Sequence, residues 1–303
     1  MTWLVILIAF AAALAVFPFL RERQRIAMTP ALRKKAEGQF AKLSDGLTHY
    51  SWSGGARGPV IVAVHGLTTP GIVWSAVTPI LTGLGFRVLS YDLYGRGFSD
   101  AARGKQNLDF FVRQLDELLA DQKVSDNITL MGYSMGGSIL TAFAAAQTHR
   151  IARVLLIAPA GIELNETPFD RFCRIVPFVG DWAHSMFGAA RAGRGAAKPH
   201  AIADMQDFQL ARRGYMPSVL SSRRYALNQT LEAAHRKLGR EDVPVWGFWG
   251  REGGVIPLSA MGTLVRWNRA VRNSDFASAD HGLTYTHADE LGAAVAEMLR
   301  DPD

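Results

Sequence analysis

A single serine stands between glycines in the hexapeptide Gly132-Tyr-Ser-Met-Gly-Gly137. Residues 127–131, just before it, are apolar and β-branched and predict a buried strand, whereas residues 138–147 are rich in alanine and predict a helix. Ser134 is therefore expected at a sharp turn from strand to helix, where glycines let the two backbones approach each other. With a neighbouring base and donors for an oxyanion, its hydroxyl would be a nucleophile. The alternative is a glycine-rich turn that only packs tightly.

The base that such a serine needs is sought among eight histidines. His281 lies just beyond the last predicted strand and before an amphipathic C-terminal helix, so we predict it as the base. His287 is the rival, although it opens that helix and has a capping role there. The remaining histidines outside the loop at 65 lie in edge, helix or lid segments, where we expect surface roles: His49, His149, His184, His200 and His235.

The donors for the oxyanion are predicted to be two backbone amides. His65-Gly66-Leu67 follows a strand predicted at 60–64, and the glycine lets the amide of Leu67 turn into the crevice. The second donor is the amide of Met135, which follows the serine and begins a helix whose dipole favours negative charge.

These motifs together resemble the α/β-hydrolase superfamily from about residue 45 to the end of the chain. The resemblance rests on G-x-S-x-G at 132–136, His65-Gly66, the stretch Asp92-Leu-Tyr-Gly-Arg-Gly-Phe-Ser99 and the late His281, which occur in the expected order. Within the superfamily, the chain looks most like the membrane-anchored monoacylglycerol lipases and carboxylesterases with a helical cap. The resemblance implies the same roles for Ser134 and His281 and a structural role for residues 92–99. It implies no metal or organic cofactor.

The acid that orients the histidine departs from the family pattern. The family usually carries W-G-x-x-D-x-x-x-P after the penultimate strand, and here residues 249–257 read WGREGGVIP. Gly253 occupies the aspartate position, and Glu252 lies one residue earlier, so we predict Glu252 as the acid. The alternatives are Glu163, another acid, or a serine–histidine pair without one; Asp280 is adjacent to His281 and poorly placed to face it.

The predicted elements alternate between strands and helices, which indicates an α/β fold with a mainly parallel, doubly wound sheet. Strands are predicted near 47–52, 60–64, 86–91, 127–131, 152–158, 243–249 and 270–277. About eighty residues after Gly161 contain no strong strand pattern and predict an inserted helical cap. The predicted boundaries are an anchor at 1–25, a linker at 26–44, a core at 45–161 and 242–303, and a cap at 162–241.

The N-terminal segment predicts a membrane anchor. Residues 3–20 carry no charge, which is nearly long enough to cross the hydrocarbon core of a bilayer as a helix. Arg21, Arg23 and Arg25 follow at once, and basic residues beside a span stay on the cytoplasmic side. The expectation is an uncleaved single-pass anchor with the catalytic domain in the cytoplasm.

Composition narrows the class of protein further. The net charge of +6 is compatible with nucleic-acid binding, but the sequence shows no zinc-finger spacing or RNA-binding signature. We therefore expect the positive charge to face anionic lipid headgroups. The single cysteine, Cys173, lies among apolar residues and predicts a packed thiol rather than a disulfide or nucleophile.

The predicted function is a membrane-anchored serine hydrolase that cleaves carboxylic esters with an apolar acyl chain. Aromatic and aliphatic residues of the cap would line an acyl pocket, although packing within the cap explains them equally well: Phe169, Phe172, Ile175, Val176, Phe178, Val179, Trp182, Met186 and Phe187. Thioesterase, amidase and cofactor-free haloperoxidase chemistry would use the same residues. The alternative outside the enzymes is a membrane-tethered binding protein without catalytic activity. It is supported by Gly253, which replaces the usual acid.

Overall fold

The fold is built on an eight-stranded sheet with the order β1-β2-β4-β3-β5-β6-β7-β8. The computed structural model describes residues 2–192 and 199–300. The strands are β1 Gln39–Leu43, β2 Gly46–Ser53, β3 Val60–Val64, β4 Arg87–Tyr91, β5 Ile128–Tyr133, β6 Ile151–Ile157, β7 Val245–Gly250 and β8 Arg272–Phe276. β1, β2 and β4 pair in antiparallel fashion, and every other neighbouring pair is parallel. The prediction of a mainly parallel α/β-hydrolase sheet is therefore confirmed.

Thirteen helices surround this sheet in the described part of the chain. They are α1 Thr2–Gln24, α2 Pro30–Arg33, α3 Thr78–Gly83, α4 Leu108–Asp121, α5 Met135–Ala146, α6 Pro168–Ile175, α7 Val179–Ala192, α8 His200–Ala211, α9 Tyr215–Arg224, α10 Glu232–Arg240, α11 Ser259–Trp267, α12 Leu283–Thr286 and α13 Ala288–Arg300. Two short 3₁₀ helices lie at Gly71–Trp74 and Thr148–Arg150.

The core has two apolar layers, one on each face of the sheet. α4, α5, α10 and α11 cover one face, with fully buried side chains such as Phe111, Phe143 and Leu264. α3, α12 and α13 cover the other face together with Trp74 and Val77. Central strands covered on both sides need continuous apolar runs, which is the pattern seen at residues 60–64 and 128–133.

The first strand was not predicted from the sequence. Residues 26–44 are predicted as a linker without a strand, but the structure contains the short helix α2 there, followed by β1. β1 pairs with β2 through a tight turn, with Phe40 opposite His49 and Leu43 opposite Gly46. Only one residue of β1, Ala41, is fully buried, so the strand owes its conformation to pairing with β2 rather than to an apolar pattern of its own.

The N-terminal segment forms α1, whose C-terminal end contacts the cap. Arg21 donates a hydrogen bond to the carbonyl of Met186 at 3.1 Å, and Arg25 donates one to the carbonyl of Leu210 at 2.6 Å. The indole nitrogen of Trp182 donates to the carbonyl of Leu14 at 2.8 Å. Within residues 2–192 and 199–300, no helix that could span a membrane is found.

The segment inserted between β6 and β7 is helical. α6, α7, α8 and α9 pack on one another over the carboxyl ends of the strands, whereas α10 packs on α5 and α11. Two fully buried arginines, Arg96 and Arg212, join the cap to the core. Arg96 donates from Nη2 to the hydroxyl of Ser222 at 2.8 Å, and Arg212 donates from Nη1 to the carbonyl of Gly97 at 2.7 Å.

Candidate active site

Ser134 lies at the turn between β5 and α5 with a strained backbone. Its φ of 53° and ψ of −118° are unusual for a residue with a side chain. The glycines around it are needed for space, since a Cβ at Gly136 would lie 2.1 Å from the carbonyl oxygen of Val64. A Cβ at Gly132 would lie 2.8 Å from the backbone of Gly136. The tight turn therefore holds the serine at the carboxyl end of the sheet, where the sequence places it.

His281, the predicted base, is the histidine that the fold brings to this serine. Its Nε2 lies 3.0 Å from Ser134 Oγ, which is hydrogen-bonding distance for removal of the hydroxyl proton. The rival His287 instead contacts Ser278 and Thr286, away from Ser134.

Tyr133, which was not among the predicted site residues, supports the histidine. Its hydroxyl donates to the carbonyl oxygen of His281 at 2.7 Å, and the two rings lie 5.2 Å apart. Its position directly before the predicted nucleophile could have indicated a role at the site. Because side chains alternate between the two faces of a strand, Tyr133 points to the other face from its neighbours at the strand end.

The other nitrogen of His281, Nδ1, is buried and has no hydrogen-bond partner among the described residues. Glu252 has an exposed side chain, and its backbone amide donates to the carbonyl of Ala279 at 2.9 Å. Glu163 accepts hydrogen bonds from the hydroxyls of Ser259 and Thr263. Asp280 accepts one from the amide of Gly282 at 2.7 Å. None of the three carboxylates considered from the sequence, Glu252, Glu163 and Asp280, hydrogen-bonds Nδ1. The role of Glu252 stays a prediction.

In the turn after β7, Gly253 occupies the position where the family usually has aspartate, and the turn has no room for a side chain there. A Cβ at Gly253 would lie 2.5 Å from the carbonyl oxygen of Ile256. An aspartate would therefore require this turn to move, which gives a physical reason for the departure from the family pattern.

Burial determines the protonation of His281. Desolvation of the ring lowers its pKa to about 4, and the negative charge of Asp280 opposes this only in part. The imidazole is consequently neutral at pH 7 and can accept a proton. Within the described residues, no carboxylate hydrogen-bonds Nδ1 to stabilise the imidazolium that would form.

The loop that carries the predicted oxyanion donor Leu67 passes close to the serine. A Cβ at Gly66 would lie 3.2 Å from the Cβ of Ser134. The loop is fixed from behind, because His65 Nε2 accepts a hydrogen bond from the amide of Leu93 at 2.9 Å and Arg96 Nε donates to the carbonyl of Leu67 at 3.0 Å. Met135, whose amide is the second predicted donor, is the first residue of α5. The oxyanion hole itself stays a prediction.

The stretch 92–99 braces this loop. Asp92 accepts hydrogen bonds from the amides of Gly71 at 2.9 Å and Phe98 at 3.0 Å, and it pairs with His49 at 2.7 Å. Burial acts to raise the pKa of Asp92, but the hydrogen bond and charge of His49 outweigh it and lower this pKa to about 2. Arg96 is surrounded by carbonyl and hydroxyl acceptors, and desolvation lowers its pKa to about 9.

Two histidines were predicted wrongly to lie at the surface. His184 is 4% exposed and His235 is fully buried. Both lie on helix faces that turn inward, His184 against the carbonyl of Met216 at 3.1 Å and His235 against the ring of Trp267. Helical periodicity places a polar residue on either face, and the packing of α7 and α10 decides which one is buried.

Ser134 and His281 open into a cavity of about 430 Å³ under the cap. Leu67 also lines this cavity, so three of the predicted site residues meet there. The cap contributes charged side chains and a histidine, together with a few aliphatic ones: Glu166, Asp170, His184, Arg191 and Arg223, with Leu164, Met216, Val219 and Leu227.

The apolar cap residues that were expected to line an acyl pocket lie elsewhere. Phe178, Val179 and Trp182 line a separate cavity of about 870 Å³ against α1. Phe169 and Trp182 pack around the buried thiol of Cys173, which fits the predicted packed cysteine. The aromatic content of the cap therefore stabilises the cap and its contact with α1.

No cluster of three or more histidine, cysteine or acidic side chains that could hold a metal ion occurs in residues 2–192 and 199–300. The chemistry available from the described side chains is proton transfer from Ser134 to neutral His281. A serine whose hydroxyl lies within hydrogen-bonding distance of a neutral imidazole has the arrangement needed to attack an electrophilic carbonyl.

Two relatives resemble the chain over most of its length. A protein of Synechocystis sp., whose name places it among non-heme chloroperoxidases, is 24% identical over 262 residues, which cover 80% of this chain and 92% of the relative. A 2-hydroxy-6-oxononadienedioate/2-hydroxy-6-oxononatrienedioate hydrolase of Pseudomonas putida is 24% identical over 295 residues, which cover 89% of this chain and 99% of the relative.

The crystal structure of the enol-lactonase from Burkholderia xenovorans matches with a TM-score of 0.71 and 22% sequence identity, covering 86% of this chain and 100% of that chain. At this identity the match shows the fold. Residues 56–267, more than half of the chain, match the family described as serine aminopeptidase, S33. The chain therefore belongs to this family, within the α/β-hydrolase superfamily of serine hydrolases.

Proposed function

We propose that the protein hydrolyses carboxylic esters, with Ser134 as nucleophile and His281 as general base. The observation that carries the proposal is the 3.0 Å separation of His281 Nε2 and Ser134 Oγ at a strained strand-to-helix turn. Ser134 attacks the ester carbonyl while His281 takes its proton. The amides of Leu67 and Met135 then stabilise the oxyanion, and the alcohol leaves with the proton from His281. Water hydrolyses the acyl-enzyme by the same route in reverse.

The apolar acyl part of the substrate is proposed to lie against the aliphatic side chains of the cavity, Leu164, Val219 and Leu227. A cavity of about 430 Å³ supports a short acyl group rather than a long lipid chain. Amide hydrolysis, which the family description names, would use the same atoms, and so would cleavage of a dienedioate as named for the Pseudomonas putida relative.

The test is the Ser134→Ala variant. Wild-type protein should hydrolyse p-nitrophenyl esters and should be labelled at Ser134 by a fluorophosphonate. Loss of a triad nucleophile costs on the order of 10⁶ in rate, so Ser134→Ala should lose both the turnover and the label. A Ser134→Ala protein that keeps more than about one hundredth of the rate would contradict the assignment. An aminoacyl p-nitroanilide in the same panel separates esterase from aminopeptidase activity.

Association of the N-terminal segment with a membrane, with the catalytic domain on the cytoplasmic side, is also part of the proposal. It is supported by the uncharged residues 3–20 and the arginines after them. The exposed apolar side chains at the start of α1 support it as well, since Trp3 is 80% exposed. Wild-type protein should sediment with membranes in cell lysates, and protease added outside intact cells should leave the catalytic domain uncut. Recovery of the full-length protein in the supernatant would contradict the association.

A further inference from the structure

The part of the cavity that the cap lines, called the cap wall below, carries an excess of positive charge. Glu166, Asp170, Arg191 and Arg223 all line it. The charge of Glu166 is balanced by Arg174, whose guanidinium donates to both carboxylate oxygens at 2.8–3.0 Å. Of the remaining three charges, two are positive and one is negative.

Arg223 has donor capacity left over. Its Nε is buried and has no hydrogen-bond partner in the described part of the chain. Its Nη2 lies 3.5 Å from Asp170 Oδ1, which is long compared with the 2.7–2.9 Å of a charged hydrogen bond. Asp170 Oδ2 already accepts a hydrogen bond from Thr167 Oγ1 at 2.9 Å. The guanidinium of Arg223 therefore keeps hydrogen-bonding capacity that the described residues do not satisfy, and its side chain is 21% exposed.

Arg191 adds a second positive charge that no carboxylate of the described residues neutralises through an ion pair. Its guanidinium lies 4.1 Å from the centre of the Phe169 ring, and its Nη1 donates only a long hydrogen bond of 3.4 Å to the carbonyl of Phe187. The excess positive charge of the cavity wall therefore favours a ligand with a single negative charge.

We propose that Arg223, with the field of Arg191, binds a carboxylate on the part of the substrate that is not cleaved. The guanidinium fork of arginine matches the two oxygens of a carboxylate, and Asp170 beside it disfavours a doubly charged phosphate. The substrate class is then a half-ester of a short dicarboxylic acid, with its ester at Ser134 and its free carboxylate at the cap wall. This inference rests on the ester hydrolysis proposed above.

The experiment compares two esters that differ by one terminal carboxylate, p-nitrophenyl butyrate and mono-p-nitrophenyl glutarate. Wild-type enzyme should show a higher kcat/KM for the glutarate half-ester. Arg223→Gln should lower the ratio of the two kcat/KM values by about ten- to a hundredfold, as expected for loss of a charged hydrogen bond. Arg223→Lys, which keeps the charge without the fork, should give an intermediate ratio. Equal ratios in wild type and Arg223→Gln would overturn the proposal.

Arg171→Gln is the matched control. Arg171 lies on α6 in the same cap with an exposed side chain, and it does not line the cavity. The variant changes the net charge of the cap equally, so its ratio should equal that of wild type. A drop in both variants would mean that the general field of the cap, rather than Arg223, selects the anion.

A binding measurement separates failure of this inference from failure of the proposed function. Calorimetry with monomethyl glutarate, a half-ester with one negative charge, on Ser134→Ala protein needs no turnover, and binding should weaken at least tenfold when Arg223→Gln is added. Binding of monomethyl glutarate without hydrolysis of any ester by wild-type protein would support the anion site and reject the esterase proposal. Hydrolysis of the neutral ester without binding of monomethyl glutarate would reject the anion site alone.

Discussion

His281 has to be neutral to take the proton of Ser134, and desolvation lowers its pKa to about 4. The neutral base is therefore present at pH 7 and is lost only as the pH falls through about 4. We expect the acid limb of kcat/KM for a neutral ester to lie near pH 4, well below the 6.5 of a free imidazole. An acid limb at or above pH 6.5 would show that a carboxylate reaches Nδ1 during turnover.

Glu252→Gln tests the same point independently. Because the Glu252 side chain is exposed and Nδ1 of His281 has no hydrogen-bond partner among the described residues, the arrangement in this structure predicts less than a tenfold loss of kcat. A loss approaching 10⁴, the cost of removing a triad carboxylate, would instead establish Glu252 as the orienting acid. Gly253→Asp should not replace the function of Glu252, because the Cβ of an aspartate at position 253 would clash with the carbonyl oxygen of Ile256.

Tyr133 is a positioning residue for His281, since its hydroxyl binds the histidine's carbonyl oxygen at 2.7 Å. Tyr133→Phe should lower kcat about fivefold, which corresponds to one hydrogen bond of about 1 kcal/mol, and should leave KM unchanged. Tyr94→Phe also removes a tyrosine hydroxyl that donates to a backbone carbonyl, that of Gly46 at 3.3 Å, and serves as the control. An equal effect of both variants on kcat would mean that Tyr133 acts only on general stability.

The helix α1 divides into two parts with different surroundings. Its first residues expose apolar side chains, whereas Leu14, Arg21 and Arg25 take part in hydrogen bonds with the cap. Deletion of residues 1–13 should therefore leave the melting temperature unchanged, while deletion of residues 1–26 should lower it by about 5 °C or more, because these bonds are lost.

Thermal unfolding of the two truncated proteins checks this, with membrane sedimentation measured in parallel. The longer deletion also uncovers the apolar cavity of about 870 Å³ between α1 and the cap, so it should aggregate more readily. If both deletions leave the melting temperature unchanged, α1 contributes nothing to the stability of the cap.

Across the whole molecule, buried neutral histidines couple stability to pH. Desolvation lowers the pKa values of His65, His184 and His235 to about 4. Between about pH 6.5 and pH 4 the unfolded chain binds protons at these positions that the folded protein does not, so the free energy of unfolding decreases as the pH falls through this range. Below about pH 4 this particular loss levels off.

His235 offers the clearest measurement, because neither ring nitrogen has a hydrogen-bond partner within the described chain. His235→Phe keeps a flat ring against Trp267 and removes the titration. From pH 8 to pH 5, wild type should lose on the order of 2 kcal/mol more stability than the variant, as measured by chemical denaturation. His149→Gln, at an exposed position, is the control and should behave as wild type. Parallel pH profiles for wild type and His235→Phe would contradict the assignment.

The sequence by itself determined the features that local pattern and backbone chemistry decide. The alternation of strands and helices predicted a mainly parallel sheet, and the glycines around Ser134 predicted the turn that holds it. The position of His281 after the last strand sufficed to identify the histidine that reaches Ser134, because the carboxyl ends of parallel strands meet at one edge.

The tertiary structure decided what depends on contacts between distant segments. β1 exists because β2 pairs with it, and His184 and His235 are buried because α7 and α10 turn those faces inward. The sequence could not show that Nδ1 of His281 lacks a hydrogen-bond partner in the described part of the chain, since one-residue differences in a turn move a carboxylate by several ångströms. Nor could it show that the cap presents Arg223 to the catalytic cavity and directs its aromatic residues toward α1, because the packing of whole helices sets which side chains face which space.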